Sequence, residues 1–173
     1  MKTIRKDWFM AGMTLLATEG LRGLKMDTLC QSLQVTRGSF YHHFSSLDDY
    51  QQNLLDFYEQ VTTLNIIEHL KTITDPKKRL RTLLEHITQY DPALEVAFRG
   101  WARVDERARA VQERIDQTRE RYVQDLVSEI LDGQDALKAQ ALYWLFLGSQ
   151  QILQHDPAQK ARVHLLVLEH LGL

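Results

Sequence analysis

Cysteine, proline and glycine are all scarce in this chain. A single cysteine, Cys30, stands among 173 residues, so an internal disulfide and a multi-cysteine metal site are both excluded. Three prolines and eight glycines leave long stretches without a breaker. The longest near-continuous apolar run, Ala141 to Gly148, is far too short to span a bilayer. The opening MKTIRKDWFM has charge but no apolar stretch followed by a small-residue cleavage site. No secretory leader is therefore expected, and a cytoplasmic protein is the simplest account. No segment alternates at period two with β-branched residues, and the one Asp-Gly pair, Asp132-Gly133, lies between helical patterns.

An excess of one charge is missing as well. The net charge is −2, and the first fifty residues set Lys2, Arg5, Lys6, Arg22, Lys25 and Arg37 against Asp7, Glu19, Asp27, Asp48 and Asp49. Coating nucleic acid by bulk charge is thus disfavoured, and any DNA binding must come from local placement. Nucleophile elbows, phosphate-binding glycine loops, HExxH and locally supported acid pairs are all absent, so no enzyme is expected. His42 and His43 are neighbours that point in different directions on a helix, which argues against a metal site, and no cofactor is expected. Cys30 reads as a small buried hydrophobe.

What the chain does contain is punctuation for helices. Each proline follows an aspartate, at Asp75-Pro76, Asp91-Pro92 and Asp156-Pro157. Aspartate accepts a hydrogen bond from an orphan backbone N–H, and proline suits the first helical position because its missing N–H would be unpaired there. Gly133 followed by Asp135 marks another stop and start. Helices are expected at about 3–19, 27–33, 37–43, 47–71, 76–89, 92–101, 104–131, 136–154 and 157–171. In the seventh, Val104, Ala108, Val111, Ile115, Thr118, Tyr122 and Leu126 recur at three- and four-residue steps, and its other faces carry charge. The fold class is all-α. With 44% hydrophobic and 25% charged residues, the chain has the make-up of a globular protein with a full core.

One stretch carries chemistry. In Val35 to Phe44, VTRGSFYHHF, a second short helix follows a first across a brief turn at Gln34–Val35. That spacing is a helix-turn-helix, whose second helix fits the major groove of DNA. Thr36 stands at its cap, and Phe40 and Phe44 at i,i+4 pin it to the body, leaving Arg37, Gly38, Ser39, Tyr41 and His43 to face outward. Arg37 can donate two parallel hydrogen bonds to guanine. Gly38 lets the backbone approach the bases, Ser39 can donate to a base edge or phosphate, and Tyr41 and His43 suit phosphate oxygens.

The segment from Ile4 to Tyr50 resembles the DNA-binding domain of the TetR/AcrR family of bacterial repressors. The match is strongest over Thr36-Arg37-Gly38-Ser39-Phe40-Tyr41-His42-His43-Phe44, with support from Ala17-Thr18-Glu19-Gly20, Leu29, Leu33 and Val35. It covers just over a quarter of the chain. The resemblance implies a DNA-binding domain at 1–46 and an effector-binding and dimerisation domain at 47–173, linked by the helix at 47–71. It implies DNA contacts from Thr36, Arg37, Gly38, Ser39, Tyr41, His42 and His43. Three departures stand out: Gln34 where glycine is usual, Cys30 where alanine is usual, and Leu47 where a lysine commonly touches phosphate. Lys2, Arg5 and Lys6 are candidates to replace that contact. A left-handed backbone at Gln34 would cost roughly 1 kcal/mol.

The resemblance further implies a double-stranded DNA operator as partner and a small-molecule effector in a cavity of the second domain. His86, Tyr90, Arg99, Trp101, Tyr122 and Trp144 are the polar-tipped candidates to line it, although core packing is the plainer role for any one of them. The helix 136–154 is apolar all round over Ala141–Gly148 and needs cover on two sides. With 157–171 it would form a homodimer interface across a two-fold axis. The expectation is a dimeric transcriptional regulator, a repressor released by a small ligand. The alternative is a TetR-like DNA-binding protein with an architectural or protein-partner role and no effector.

Overall fold

The structure, a computed structural model, describes residues 3–133, 135–151 and 156–173. Every regular element among them is helical: α1 Arg5–Glu19, α2 Met26–Leu33, α3 Arg37–His43, α4 Leu47–Glu59, α5 Asn65–Lys71, α6 Pro76–Gln89, α7 Ala93–Ala102, α8 Glu106–Ile130, α9 Ala136–Gln150 and α10 Pro157–Leu171. None is long and apolar enough to cross a membrane. The expected caps are in use. Asp75 accepts from the Lys77 N–H at 3.0 Å, and Asp156 accepts from Ala158 and Gln159 at 2.9 and 3.2 Å. Asp91-Pro92 differs, since α7 begins one residue after the proline.

The expected single helix at 47–71 is interrupted. A π-helical turn over Gln60–Leu64 separates α4 from α5. Its physical cause lies in Val61-Thr62-Thr63, three β-branched residues in a row. The Thr62 hydroxyl donates to the Tyr58 carbonyl at 2.7 Å and competes with the backbone for that acceptor.

The chain forms two compact units. The first is Met1–Thr62 with Ala93–Arg114, and the second is Thr63–Pro92 with Ile115–Leu173. In the first, α1 packs on α2, α4 and α7. Its core is aromatic: Trp8 meets Phe40 edge-on at 5.4 Å, and Phe44 meets Tyr50 edge-on at 5.0 Å. The Tyr50 hydroxyl donates to the Trp8 carbonyl at 2.9 Å, tying α4 to α1. Tyr58 and Phe98 stack at 3.7 Å, and the Tyr58 hydroxyl donates to Glu95 at 2.8 Å, which ties α7 to α4. In the second unit, Leu80 and Leu84 of α6 pack with Val123, Leu126 and Val127 of α8, Leu142 of α9 and Leu168 of α10.

Candidate nucleic-acid interface

The turn between α2 and α3 is left-handed at Gln34, with φ 54° and ψ 43°. Its N–H closes α2 on the Gln31 carbonyl at 3.1 Å, and the Val35 N–H bonds Cys30 at 2.9 Å. This tight reversal brings α3 across α2 over buried Leu29 and Cys30. Burial first, and then the Asp27 charge, push the Cys30 thiol up, as befits a core position. Phe40 and Phe44 are fully buried, as the i,i+4 spacing requires. Arg37, Gly38, Tyr41 and His42 are exposed, and Ser39 is half-buried. Thr36 holds the cap position of α3 with extended backbone, without a capping hydrogen bond from its side chain.

Arg37 has a partner that sequence periodicity did not reveal. Its Nε and Nη2 donate to Asp27 Oδ1 and Oδ2, each at 2.7 Å. The bidentate pair spans ten residues from α2 to α3, a separation no helical repeat marks. The hydrogen bonds from Arg37 hold the Asp27 carboxyl below its ordinary range. Only one edge of the guanidinium is taken, and Nη1 with the second Nη2 hydrogen remains for a base edge. At Gly38 an added Cβ would meet only Thr36 Oγ1 at 3.6 Å, an ordinary contact, so packing within the protein does not demand glycine there.

His43 departs from the expected outward face. Its ring is half-buried beside Trp8, and Nε2 donates to the Thr3 carbonyl at 3.0 Å, seating the N-terminal segment on α3. Arg5 also folds inward: Nη2 donates to Asn53 at 2.7 Å, and the guanidinium lies 4.9 Å from the Phe44 ring centre. Lys6 is exposed, while Lys2 lies outside the described residues. At the start of α4, Ser46 caps the Asp49 N–H at 3.0 Å, and Asp49 accepts from the Ser45 N–H at 2.8 Å. The bonds from the Ser45 N–H, first, and then from the Ser45 hydroxyl lower the Asp49 carboxyl from its ordinary range.

Residues 10–49 match the pattern of bacterial regulatory proteins of the tetR family. The helix-turn-helix of α2 and α3 lies inside that match. The likeness in fold extends over the remainder. The TetR transcription regulator of Haloarcula marismortui is 17% identical, with 96% of this chain and 95% of that one covered at a TM-score of 0.78. Escherichia coli NemR, in its reduced form, is 19% identical over 96% and 95%, at 0.76. A Saccharomonospora viridis transcriptional regulator solved in complex with choline is 16% identical over 96% and 95%, at 0.71. No curated protein sequence matches the chain. The fold is therefore of the TetR type, as expected from the motif.

The residues expected to line an effector cavity fall in both units. Arg99 and Trp101 belong to the first, where Arg99 Nε donates to Glu95 at 3.0 Å and Trp101 is buried against Phe98. His86, Tyr90, Tyr122 and Trp144 belong to the second. Within it, His86 and Tyr90 are in ring contact at 4.6 Å, and burial followed by the nearby His69 lowers the His86 pKa. The Tyr122 hydroxyl is enclosed, and burial raises its pKa against the opposing pull of nearby Arg79, whereas Trp144 is 62% exposed.

Proposed function

We propose that the chain is a homodimeric, sequence-specific DNA-binding transcriptional regulator, a repressor that a small organic ligand releases from its operator. The observation that carries this reading is the arrangement of α3. Its apolar side is locked into the core by Phe40 and Phe44, and its opposite side offers Arg37, Gly38, Tyr41 and His42 to solvent. Residues 1–46 then act as the reading head, and residues 47–173 supply effector binding and dimerisation. Arg37 reads a guanine with its open edge, while Thr36, Ser39, Tyr41, His42 and Lys6 take phosphate or base contacts. Lys2 is assigned the same role. Arg5 and His43 contribute by holding the head together and by any donor they keep free. The double-stranded operator places the protein at work in the cytoplasm.

The homodimer is assigned to α9 and α10. Leu137, Ala141, Trp144 and Gly148 recur along one exposed side of α9, and Val163 and Leu166 are exposed on α10. Two such pairs form a four-helix bundle across a two-fold axis. That symmetry presents two α3 helices to successive major grooves, about 34 Å apart. For the effector, His86, Tyr90, Arg99, Trp101, Tyr122 and Trp144 remain the candidates, and the choline complex of the Saccharomonospora regulator is a precedent in another protein. Ligand release requires unequal affinity for the two arrangements of the heads, with helix 47–71 as the link between domains.

Fluorescence anisotropy tests the reading directly. The protein is titrated against DNA from its own upstream region and against a scrambled duplex. Specific binding about a thousandfold tighter is expected. Arg37→Ala is expected to cost about 1–3 kcal/mol at the operator and to relax preference at one base pair. Equal, weak and steeply salt-dependent binding to both duplexes would sink the proposal. Tight binding that no ligand perturbs would favour an architectural role instead.

A further inference from the structure

The interior of the second unit contains a buried lysine with no hydrogen-bond partner among the described residues. Lys160 is 8% exposed, and His164, one turn further along α10, is 2% exposed. With Leu168 they make up the buried side of α10, the helix that packs on α6 and α9. Lys160 Nζ and His164 Nε2 are both fully enclosed, and neither has a hydrogen-bond partner among the described residues. The other buried polar residues described in this unit are Thr63, Thr88 and Gln150, none of them an acid. An enclosed ammonium without an acceptor is costly to keep, and the usual remedy of a buried carboxylate is missing from the described residues of this unit. Burial accordingly lowers the affinity of Lys160 for its proton.

The tautomer of His164 follows from its neighbour. Nδ1 lies 2.7 Å from the Lys160 backbone oxygen, and a carbonyl can only accept, so Nδ1 carries the proton. The neutral ring then has a lone pair at Nε2. One turn of helix therefore holds an ammonium that must donate and an imidazole nitrogen that must accept.

We propose that Lys160 and His164 form an internal site for a small oxyanion that also carries a hydroxyl, with the anionic oxygens on Lys160 Nζ and the hydroxyl donating to His164 Nε2. A hydroxy acid has both functions, and so does monoprotonated phosphate. A plain carboxylate satisfies the lysine but sets its lone pairs against that of the imidazole, and a neutral alcohol leaves the ammonium unpaired. As the class of effector, this rests on the ligand-release reading above. As a binding site it does not require DNA.

The test titrates the full-length protein, carrying 15N-labelled histidine, with sodium lactate, inorganic phosphate or sodium acetate at constant ionic strength. The His164 ring resonance, assigned through His164→Gln, is followed. Saturable movement is expected with lactate or phosphate, and which of the two binds tighter identifies the source. Acetate, leaving one buried acceptor unpaired, is expected to bind about tenfold more weakly. Lys160→Met, which replaces the unpaired ammonium by an apolar chain of similar length, is expected to melt higher than the wild type and to lose the response. Similar movement with all three salts, or movement retained in Lys160→Met, overturns the site. So does no movement with lactate and phosphate at tens of millimolar, which leaves the two nitrogens to internal water. Operator anisotropy in the same samples separates the two readings. Failure to bind DNA removes the regulator reading and leaves the ring titration standing, and ligand binding without operator release removes only the effector assignment.

Discussion

Gln34 holds φ at 54°, where its Cβ crowds the following carbonyl, yet the turn between α2 and α3 needs that conformation. Glycine adopts it without the crowding but has more freedom to lose on folding. Relief of strain outweighs that entropy, so Gln34→Gly is expected to raise stability by a few tenths to about 1 kcal/mol, read as a higher urea midpoint with unchanged slope. A lower midpoint would show that the glutamine side chain has a stabilising role. At the neighbouring Arg37, the type and position of the side chain were legible from the motif, whereas its bond to Asp27 was not. Both members of that pair are about two-thirds exposed, so it contributes little stability. Its consequence is orientation, because a guanidinium held along one edge has fewer rotamers to lose in the base contact proposed for it.

At the scale of helices, α1 and α4 meet so closely at Gly12 that a Cβ there would stand 1.9 Å from the Tyr50 hydroxyl. Gly12→Ala must displace the ring that bonds Trp8 and packs on Phe44. A loss of about 1–3 kcal/mol is expected in denaturant unfolding, and unchanged stability would mean that α4 moves aside freely. The cap of α4 has a pH signature. The Asp49 carboxyl is lowered in the folded state, so its contribution is complete above the ordinary aspartate range and fades as pH falls through the depressed value. Asp49→Asn is expected to lower the urea midpoint near neutral pH, with wild type and variant converging in acid. A gap that stays constant down to acid pH would point to lost packing rather than lost charge. The π turn in the expected 47–71 helix did have a local signal, Val61-Thr62-Thr63, but helical periodicity alone passes over it because apolar spacing continues on both sides.

For the molecule as a whole, the apolar run of α9 raised the question of what covers its second side. Trp144 is 62% and Leu137 77% exposed, and a large aromatic left open on an apolar stripe is what supports the proposed dimer interface there. On the proposed dimer, Trp144→Glu is expected to give monomer in sedimentation equilibrium and to weaken operator binding steeply, since one head would then bind without its twin. A dimer of undiminished stability would move the interface elsewhere. Secondary structure need not change in this variant, because Trp144 contributes little to the core of its own unit.

Helices are local objects, and for that reason the sequence alone determined them here. Asp75, Asp135 and Asp156 cap helices within three residues of themselves, and the 3.6-residue stripe of α8 can be read from its letters. The motif at Thr36–Phe44 likewise determined which side of α3 is buried through the spacing of Phe40 and Phe44. Tertiary structure alone decided which distant residues meet. It turned His43 inward onto Thr3, joined Arg37 to Asp27, and packed Ala93–Arg114 with α4 through Tyr58 and Phe98. It also enclosed Lys160 Nζ and His164 Nε2 without partners among the described residues. Lys160 and His164 look like solvated surface positions in the sequence, because periodicity states which residues share a face and says nothing of what that face is pressed against.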